Sequence, residues 1–354
     1  MFKLKSFTIL AFCAGILAFQ SCKKDNNDYD VPTTYNFTNV SYSGQTERLD
    51  MLAELETYMK TSNTSGTAVE AATMKAMYAN DGHTWTESAL NSSTKDLKSK
   101  SFEIAQAEIE ASMDALAAAS QSTTAGSKGT AGVVESNDGA KAYLFDENGI
   151  EHTQLIAKGI MGACLYYQMT SVYTGTDKMN VDNETVEEGK GTEMEHHWDE
   201  AFGYYGAPID FTNATTTGYR YWAKYSFKGD ADHDLINKVM TAFIKGRAAI
   251  SNDDLDTRDA QITELRAQLE MVSATTAIYY LESAKADLAD DALRNHQLSE
   301  AHAFIKALEY NVDKTISSAQ ITTVLGHLGT NFYDVSASNI DAAVAELKTI
   351  YGIQ

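Results

Sequence analysis

The sequence predicts an all-α fold, a large helical bundle or two bundles packed side by side, on three observations. Only Pro32 and Pro208 occur in 354 residues, so long helices can run without a residue that lacks a backbone N–H. Ala, Leu, Glu, Lys and Gln favour helix, and hardly any stretch alternates apolar and polar residues as a half-buried strand does. Apolar residues instead recur at spacings of three and four along most of the chain.

The chain opens with Lys3 and Lys5, an apolar run from Phe7 to Phe19, and then Ser21-Cys22-Lys23-Lys24-Asp25. That order predicts a signal peptide over residues 1–21 and resembles the lipobox of bacterial lipoproteins, with Cys22 as the lipidated first residue of the mature chain. The run is shorter than the roughly 20 residues a spanning helix needs. Acyl chains on Cys22 would each bury methylenes at about 0.8 kcal/mol apiece and hold the protein to a membrane. Lys23, rather than Asp, after the cysteine implies the outer membrane by the same resemblance, with the body facing the periplasm or the cell surface. The bulky Phe19-Gln20 pair before Ser21 keeps a cleavable, non-lipidated signal peptide as the alternative.

Residues 22–44 are polar and aperiodic, as a lipidated flexible tether would be, and residues 45–354 are expected to form the helical domain. Leu49, Leu52, Leu55 and Met59 predict a first helix near 45–61. Further helices are predicted over 66–79, 96–120 and 151–174, the last apolar enough to be central. Gly126, Gly129, Gly132 and Gly139 lie among Ser, Thr and Asn, which predicts a mobile loop near 120–140 or an inserted surface excursion. A second polar break runs from Gly175 to Gly191. Asp232 is expected to cap a helix to about 250, and Ser251 or Asn252 to open a long one to about 290 with a seam at Ile262, Leu265, Leu269 and Val272. Ser338 and Asp341 fit a capping box that starts the last helix.

The formal net charge is −21, and removing residues 1–21 takes away two lysines and no acid. Such a surface repels phosphate backbones, and no local Lys/Arg cluster interrupts it along the sequence, which excludes nucleic acid as a partner. Cations, or partners with basic patches, are favoured instead. Cys164, the one cysteine left once Cys13 and Cys22 are assigned, sits among Met161, Leu165 and Tyr166 and reads as a small core residue.

The densest set of potential ligand groups runs from Glu193 to Pro208, through Glu195, His196, His197, Asp199, Glu200 and Tyr204. At about 100° per residue, Glu193, His196, His197 and Glu200 share one helix face, with Tyr204 continuing it, while Met194, Trp198, Phe202 and Tyr205 lie opposite. A His/carboxylate pair at three or four residues can ligate one metal ion, divalent or ferric, or share a proton. Closing such a site needs donors from other helices; Glu151, His152 and the His296/Glu300 pair are the candidates. An ordinary amphipathic helix with a wet polar face, or histidines satisfied by neighbouring carboxylates, is the competing reading.

No zincin H-E-x-x-H, phosphate-cradling loop, dinucleotide fingerprint or nucleophile elbow occurs. A hydrolase with Glu200 or Asp199 as general base beside His197 therefore rests on residue types alone. Tyr219, Arg220, Tyr221, Trp222, Lys224 and Tyr225 could stack a sugar or another flat ligand, or fill the space between helices. Arg247, within an apolar helical stretch, needs an acidic partner if it is buried.

The stretches from Tyr35 to Leu49, from His197 to Gly206 and from Asn331 to Asp334 resemble a family of helical bacterial lipoproteins catalogued as a domain of unknown function, number 4856. The resemblance spans nearly everything after the tether. More distantly, the helical organisation resembles imelysin-type proteins, exported and associated with iron uptake, whose G-x-H-x-x-E motif accepts His197 and Glu200 but meets Glu195 where its glycine should be. Together these readings lead to an outer-membrane lipoprotein with a helical, ligand-binding body, a metal site at His197, Glu200, Glu193, His196 and Glu151, and a connection to iron uptake. The alternative is a structural or interaction lipoprotein that docks another envelope protein.

Overall fold

The protein is described here by a computed structural model covering residues 29–210, 217–227 and 233–354. The proposed signal peptide and Cys22 lie outside the described residues. One compact unit begins at Val31, so residues 31–44, expected in the tether, belong to the folded body. Tyr35 is the physical reason: it is fully buried, with its ring stacked on Phe202 at 3.7 Å.

Twelve α-helices account for most of the described chain, as the scarcity of proline and the apolar spacing predict. They are α1 (Ser43–Lys60), α2 (Ala71–Ala79), α3 (Glu103–Ser120), α4 (His152–Ile160), α5 (Thr176–Met179), α6 (Glu193–Tyr205), α7 (Tyr221–Tyr225), α8 (Leu235–Ser251), α9 (Leu255–Ala286), α10 (Asp291–Ala307), α11 (Ser318–Leu328) and α12 (Ala337–Tyr351). The 32-residue α9 forms a spine against which α8, α10 and α12 pack. Its expected seam of Ile262, Leu265, Leu269 and Val272 is buried. Helix α4 fits between α10 and α3, and α1 leans on α2, α4 and α6. Among the described residues no helix is long and apolar enough to cross a membrane.

The expected central helix over 151–174 is present but changes its winding after Ile160, continuing as π-helical turns over Met161–Tyr166 and Gln168–Val172. The widened turns free carbonyls for partners outside the helix: Met161 O accepts from Trp222 Nε1 at 3.0 Å, and Ala163 O from Phe102 N at 2.8 Å. Cys164 is buried there, as expected.

Several expectations need correction. The glycine-rich stretch near 120–140, expected as a mobile loop or a surface excursion, contains the strand β1 (Gly132–Glu135), which pairs antiparallel with β2 (Ala142–Phe145) just beyond it. Backbone N–H groups of Asn137 and Leu144 donate to Asp290 and Asn63, and Leu144 and Phe145 are buried, which offsets the cost of ordering the hairpin. The helices expected from 66 and 96 begin later, at Ala71 and Glu103. Asn252 closes α8 instead of opening α9, whose cap is the Asp254 side chain accepting from Thr257 N. The last capping box is Ser336 with Asn339, two residues before the expected pair. Asp232 lies outside the described residues. Helices α10 and α11 were not delimited by the sequence pattern.

Two close approaches set the position of α6. Gly203 faces α1, where a Cβ would come within 2.7 Å of Tyr42 Cβ and 2.8 Å of Gln45 Cβ. Gly246 of α8 faces Trp198, where a Cβ would lie 2.1 Å from the indole. Trp198 cannot yield, because it is fully buried and its Nε1 donates to Phe243 O at 2.9 Å. Gly246→Ala is therefore expected to destabilise the fold by overpacking, by about 1–3 kcal/mol, even though Ala is the better helix former. Chemical denaturation of the two proteins checks this; an unchanged midpoint would mean that the indole moves freely.

Candidate functional site

The residues from Thr192 to Gly206 form α6 and its caps. Thr192 Oγ1 accepts from Glu195 N at 3.1 Å while Glu195 Oε2 accepts from Thr192 N at 2.9 Å, a reciprocal capping box. At the other end Gly206 takes the left-handed conformation, φ 83°. Its Cβ position is closed by Arg220 O at 2.7 Å. The helix is therefore fixed at both ends.

Its inner side is organised by Arg247 of α8, a fully buried cation. The guanidinium donates through Nε to Asp199 Oδ1 at 2.9 Å, through Nη1 to Glu195 Oε1 at 2.5 Å and to Ser251 Oγ, and through Nη2 to Thr38 O at 3.4 Å. Asp199 also accepts from Tyr35 OH at 2.7 Å and from Ser41 N at 3.3 Å. Burial pushes the Asp199 carboxyl up to about 6, while Arg247 and Tyr35 hold it back. It stays ionised opposite Arg247 at neutral pH. Glu195, which stands where the imelysin motif has glycine, thus has two structural tasks, the cap and the Arg247 contact.

The outer face carries His197 and Glu200. Glu200 Oε1 accepts from Gln45 Nε2 at 2.9 Å and Tyr173 OH at 3.0 Å, and its Oε2 lies 3.1 Å from His197 Nδ1. Burial alone would raise the Glu200 carboxyl, but hydrogen bonds from His197 and Gln45, with His196 and Tyr173 behind them, bring it down to about 2. His197 Nε2 is 3.3 Å from Lys178 Nζ and 3.6 Å from the exposed Glu193 carboxylate. The tautomer with its proton on Nδ1 can donate to Glu200 and leave Nε2 to accept from the Lys178 ammonium. His196 is only partly buried, with Nε2 4.0 Å from Glu200. Tyr204, expected on this polar stripe, is fully buried instead.

These groups do not fit a resident metal ion. An ammonium faces the imidazole nitrogen that would ligate it, and Glu200 is already occupied by three donors. Glu151, the expected helper, is not among the contacts of His197 or Glu200; its partners are His296, Gln154 and Ser299. Among the described residues no group of three or more His, Cys, Asp or Glu side chains is arranged to hold an ion. On α6, Glu195, His197, Asp199 and Glu200 all hold hydrogen-bond partners, while His196 Nδ1 is buried without one among the described residues.

The other residues singled out by sequence come together elsewhere. A cleft of about 740 Å³ lies between α1, the hairpin, α4, α7 and α10, and the residues lining it include Glu151, His296 and Glu300 together with Tyr219, Arg220, Tyr221, Lys224 and Tyr225. At its floor, His296 Nδ1 is 2.6 Å from Glu151 Oε2, and its Nε2 is 3.9 Å from Glu300 Oε1. Burial would lower the His296 pKa, but Glu151 and Glu300 outweigh it and raise it. Lys158 sits 3.8 Å from Glu300 Oε1 and over the Tyr225 ring at 5.4 Å. Burial opposes its charge, and Glu300 more than compensates. Tyr143 of the hairpin stacks on His296 at 4.2 Å, and burial with Glu151 and Glu300 pushes its hydroxyl up to about 12. Glu300 Oε2 is buried with no hydrogen-bond partner among the described residues.

The rim adds Lys60, Lys141, Tyr280 and Glu56. Lys60 pairs with Glu56 at 2.9 Å and Arg220 with Asp50 at 2.7 Å. Among the described residues, no ion pair engages Lys141 or Lys224. Five basic side chains thus meet three carboxylates and five tyrosines in one place, in a chain of net charge −21. Sequence reasoning named Tyr219 to Tyr225 and Glu151 separately but missed Lys60, Lys141, Lys158, Tyr143 and Tyr280, since these come from four distant segments with no shared motif.

Two stability measurements probe the α6 face. Arg247→Met strands Asp199 and Glu195 and is expected to cost about 3–5 kcal/mol in denaturant unfolding, part of which Asp199→Asn recovers in the double variant. Glu200 has a folded pKa below its ordinary value of 4.5, so its stabilisation is complete above that pH and is lost as pH falls towards about 2. Over that interval the parent is expected to lose about 3 kcal/mol more than Glu200→Gln. Parallel acid titrations in which the two proteins lose stability equally would rule this out.

No curated protein and no solved structure matches the chain. The family described as Domain of unknown function (DUF4856) matches residues 32–354. Its match begins one residue after the compact unit does and includes the N-terminal segment that Arg247 and Asp199 hold, the whole of α6 and the walls of the cleft. The chain belongs to this family, Domain of unknown function (DUF4856).

Proposed function

We propose that the protein is a binding protein of the cell envelope, tethered to the outer membrane by lipid on Cys22, whose helical body holds a hydrophilic ligand in the cleft between α1, the hairpin, α4, α7 and α10. The observation that carries the binding part is the cleft's lining. Pockets for apolar molecules are mostly hydrophobic with a few polar groups, whereas here charged and phenolic side chains dominate. Maintaining Lys158, Glu151 and Glu300 with little access to water costs stability, and Glu300 Oε2 leaves a hydrogen bond unmade. A fold that needed only a packed core could replace them with apolar residues at no loss. The anchor rests on the signal-like first 21 residues and the position of Cys22.

We favour the cleft over the α6 face because His197, Asp199 and Glu200 already hold partners, whereas the cleft leaves Lys141 and Lys224 without ion pairs among the described residues. Ala53, exposed on α1 at the cleft wall, offers a test that leaves every charge in place. A thermal-shift screen of hydrophilic metabolites and oligosaccharides is expected to yield ligands that stabilise the parent and His197→Ala alike, by about 2.7 kcal/mol at a hundred times Kd. The same compounds are expected to leave Ala53→Trp unshifted. Ligands that still stabilise Ala53→Trp, or that lose their effect in His197→Ala, would move the site away from the cleft. For the anchor, Cys22→Ser is expected to release the protein from the membrane fraction of expressing cells, and continued sedimentation with membranes would count against it.

A further inference from the structure

We infer that the ligand of the cleft is an acidic saccharide, a chain of sugar rings carrying carboxylates, held by Lys141 and Lys224; this rests on the cleft being the binding site. Three features of the lining choose among hydrophilic ligands. Lys141 on the hairpin and Lys224 on α7 are exposed and without an ion pair among the described residues, while Lys60 and Arg220 are already matched to Glu56 and Asp50. Two cations on two different elements, left over in a strongly acidic chain, suit a ligand with more than one separated negative group.

The tyrosines supply the second feature. Tyr143, Tyr219, Tyr221, Tyr225 and Tyr280 all line the cleft, and although His296 takes one face of Tyr143 and Phe304 one face of Tyr280, the phenols put apolar ring surface and hydroxyls side by side, as a pyranose does. Interleaved with charges, they do not form the continuous apolar wall that a purely hydrophobic molecule would need.

The third feature is the presence of Glu56, Glu151 and Glu300 beside the lysines. A compact polyanion such as a phosphate chain brings two or more charges into one place and would be repelled by these carboxylates. Phosphate sites also favour arginine forks and helix N-terminal amides, and the one arginine in the cleft is paired with Asp50. A uronic-acid saccharide spaces single carboxylates between neutral hydroxyls. It can set its acids against Lys141 and Lys224 while its hydroxyls donate to glutamates.

Calorimetric titration of the soluble body, residues 31–354, the compact unit of the fold, uses three probes: tetragalacturonate, the neutral maltotetraose and inorganic tripolyphosphate. Tetragalacturonate is expected to bind at least tenfold more tightly than either of the others. Lys141→Glu and Lys224→Glu, both at exposed positions and with unchanged melting temperatures, are each expected to weaken it by at least tenfold. Equal binding of maltotetraose would overturn the acidic class, and equal binding of tripolyphosphate would overturn the saccharide. Absence of tetragalacturonate binding overturns the proposal outright. In each of those cases compounds from the screen that fail only with Ala53→Trp would leave the cleft itself standing as the binding site.

Discussion

The buried guanidinium of Arg247 is the interaction on which the remaining architecture depends. It draws its partners from three places in the sequence: Thr38 in the N-terminal segment, Glu195 and Asp199 in α6, and Ser251 one turn further along α8. A buried charge without partners costs several kcal/mol, so these elements can be exchanged for no others once Arg247 is inside. Tyr35 and Ser41 extend the same network to the chain's entry into the fold. Phe37 covers the guanidinium with its ring at 5.2 Å. The N-terminal segment is therefore part of the lock, although its composition is that of a linker.

The same network accounts for the density of polar residues in α6. His197, Asp199 and Glu200 look like the makings of a reactive centre, but each faces partners that complete it. Asp199 and Glu195 turn inward to Arg247, and Glu200 turns to Gln45 and Tyr173, which join α6 to α1 and to the end of the π-helical turns. Trp198 fills the space left by Gly246, and Gly203 lets α1 approach. A motif this specific can be a packing and hydrogen-bonding solution, because a helix with neighbours on several sides must satisfy a different demand at nearly every position.

The cleft has the opposite character. Its charges are incompletely matched, its floor holds a carboxylate oxygen without a donor among the described residues, and two lysines at its rim stand without ion pairs there. Along the sequence no Lys/Arg cluster exists, and net charge alone suggests attraction for cations. The fold reverses that expectation locally by bringing together Lys60 from α1, Lys141 from the hairpin, Lys158 from α4, and Arg220 and Lys224 from the segment around α7. The hairpin, whose first strand lies in the glycine-rich stretch, supplies one wall through Lys141 and Tyr143.

What the sequence alone determined is whatever repeats locally: the helical class, the approximate extent of most helices, the burial of Cys164, and the need of Arg247 for an acid. Hydrophobic spacing and proline scarcity act over a few turns, so they can be read without coordinates. Helix starts were missed where capping chemistry depended on one residue, as at Asp254 and Ser336. Only the tertiary structure decided which polar residues are spent on one another and which are left facing a shared space. Glu151 parted from His197 and joined His296, and the aromatic run near Tyr221 met a charged floor at His296 and Glu300 on α10. Pairing energies between side chains fall off within a few ångströms, and distance in space is set by the packing of all the helices at once, which no local pattern encodes.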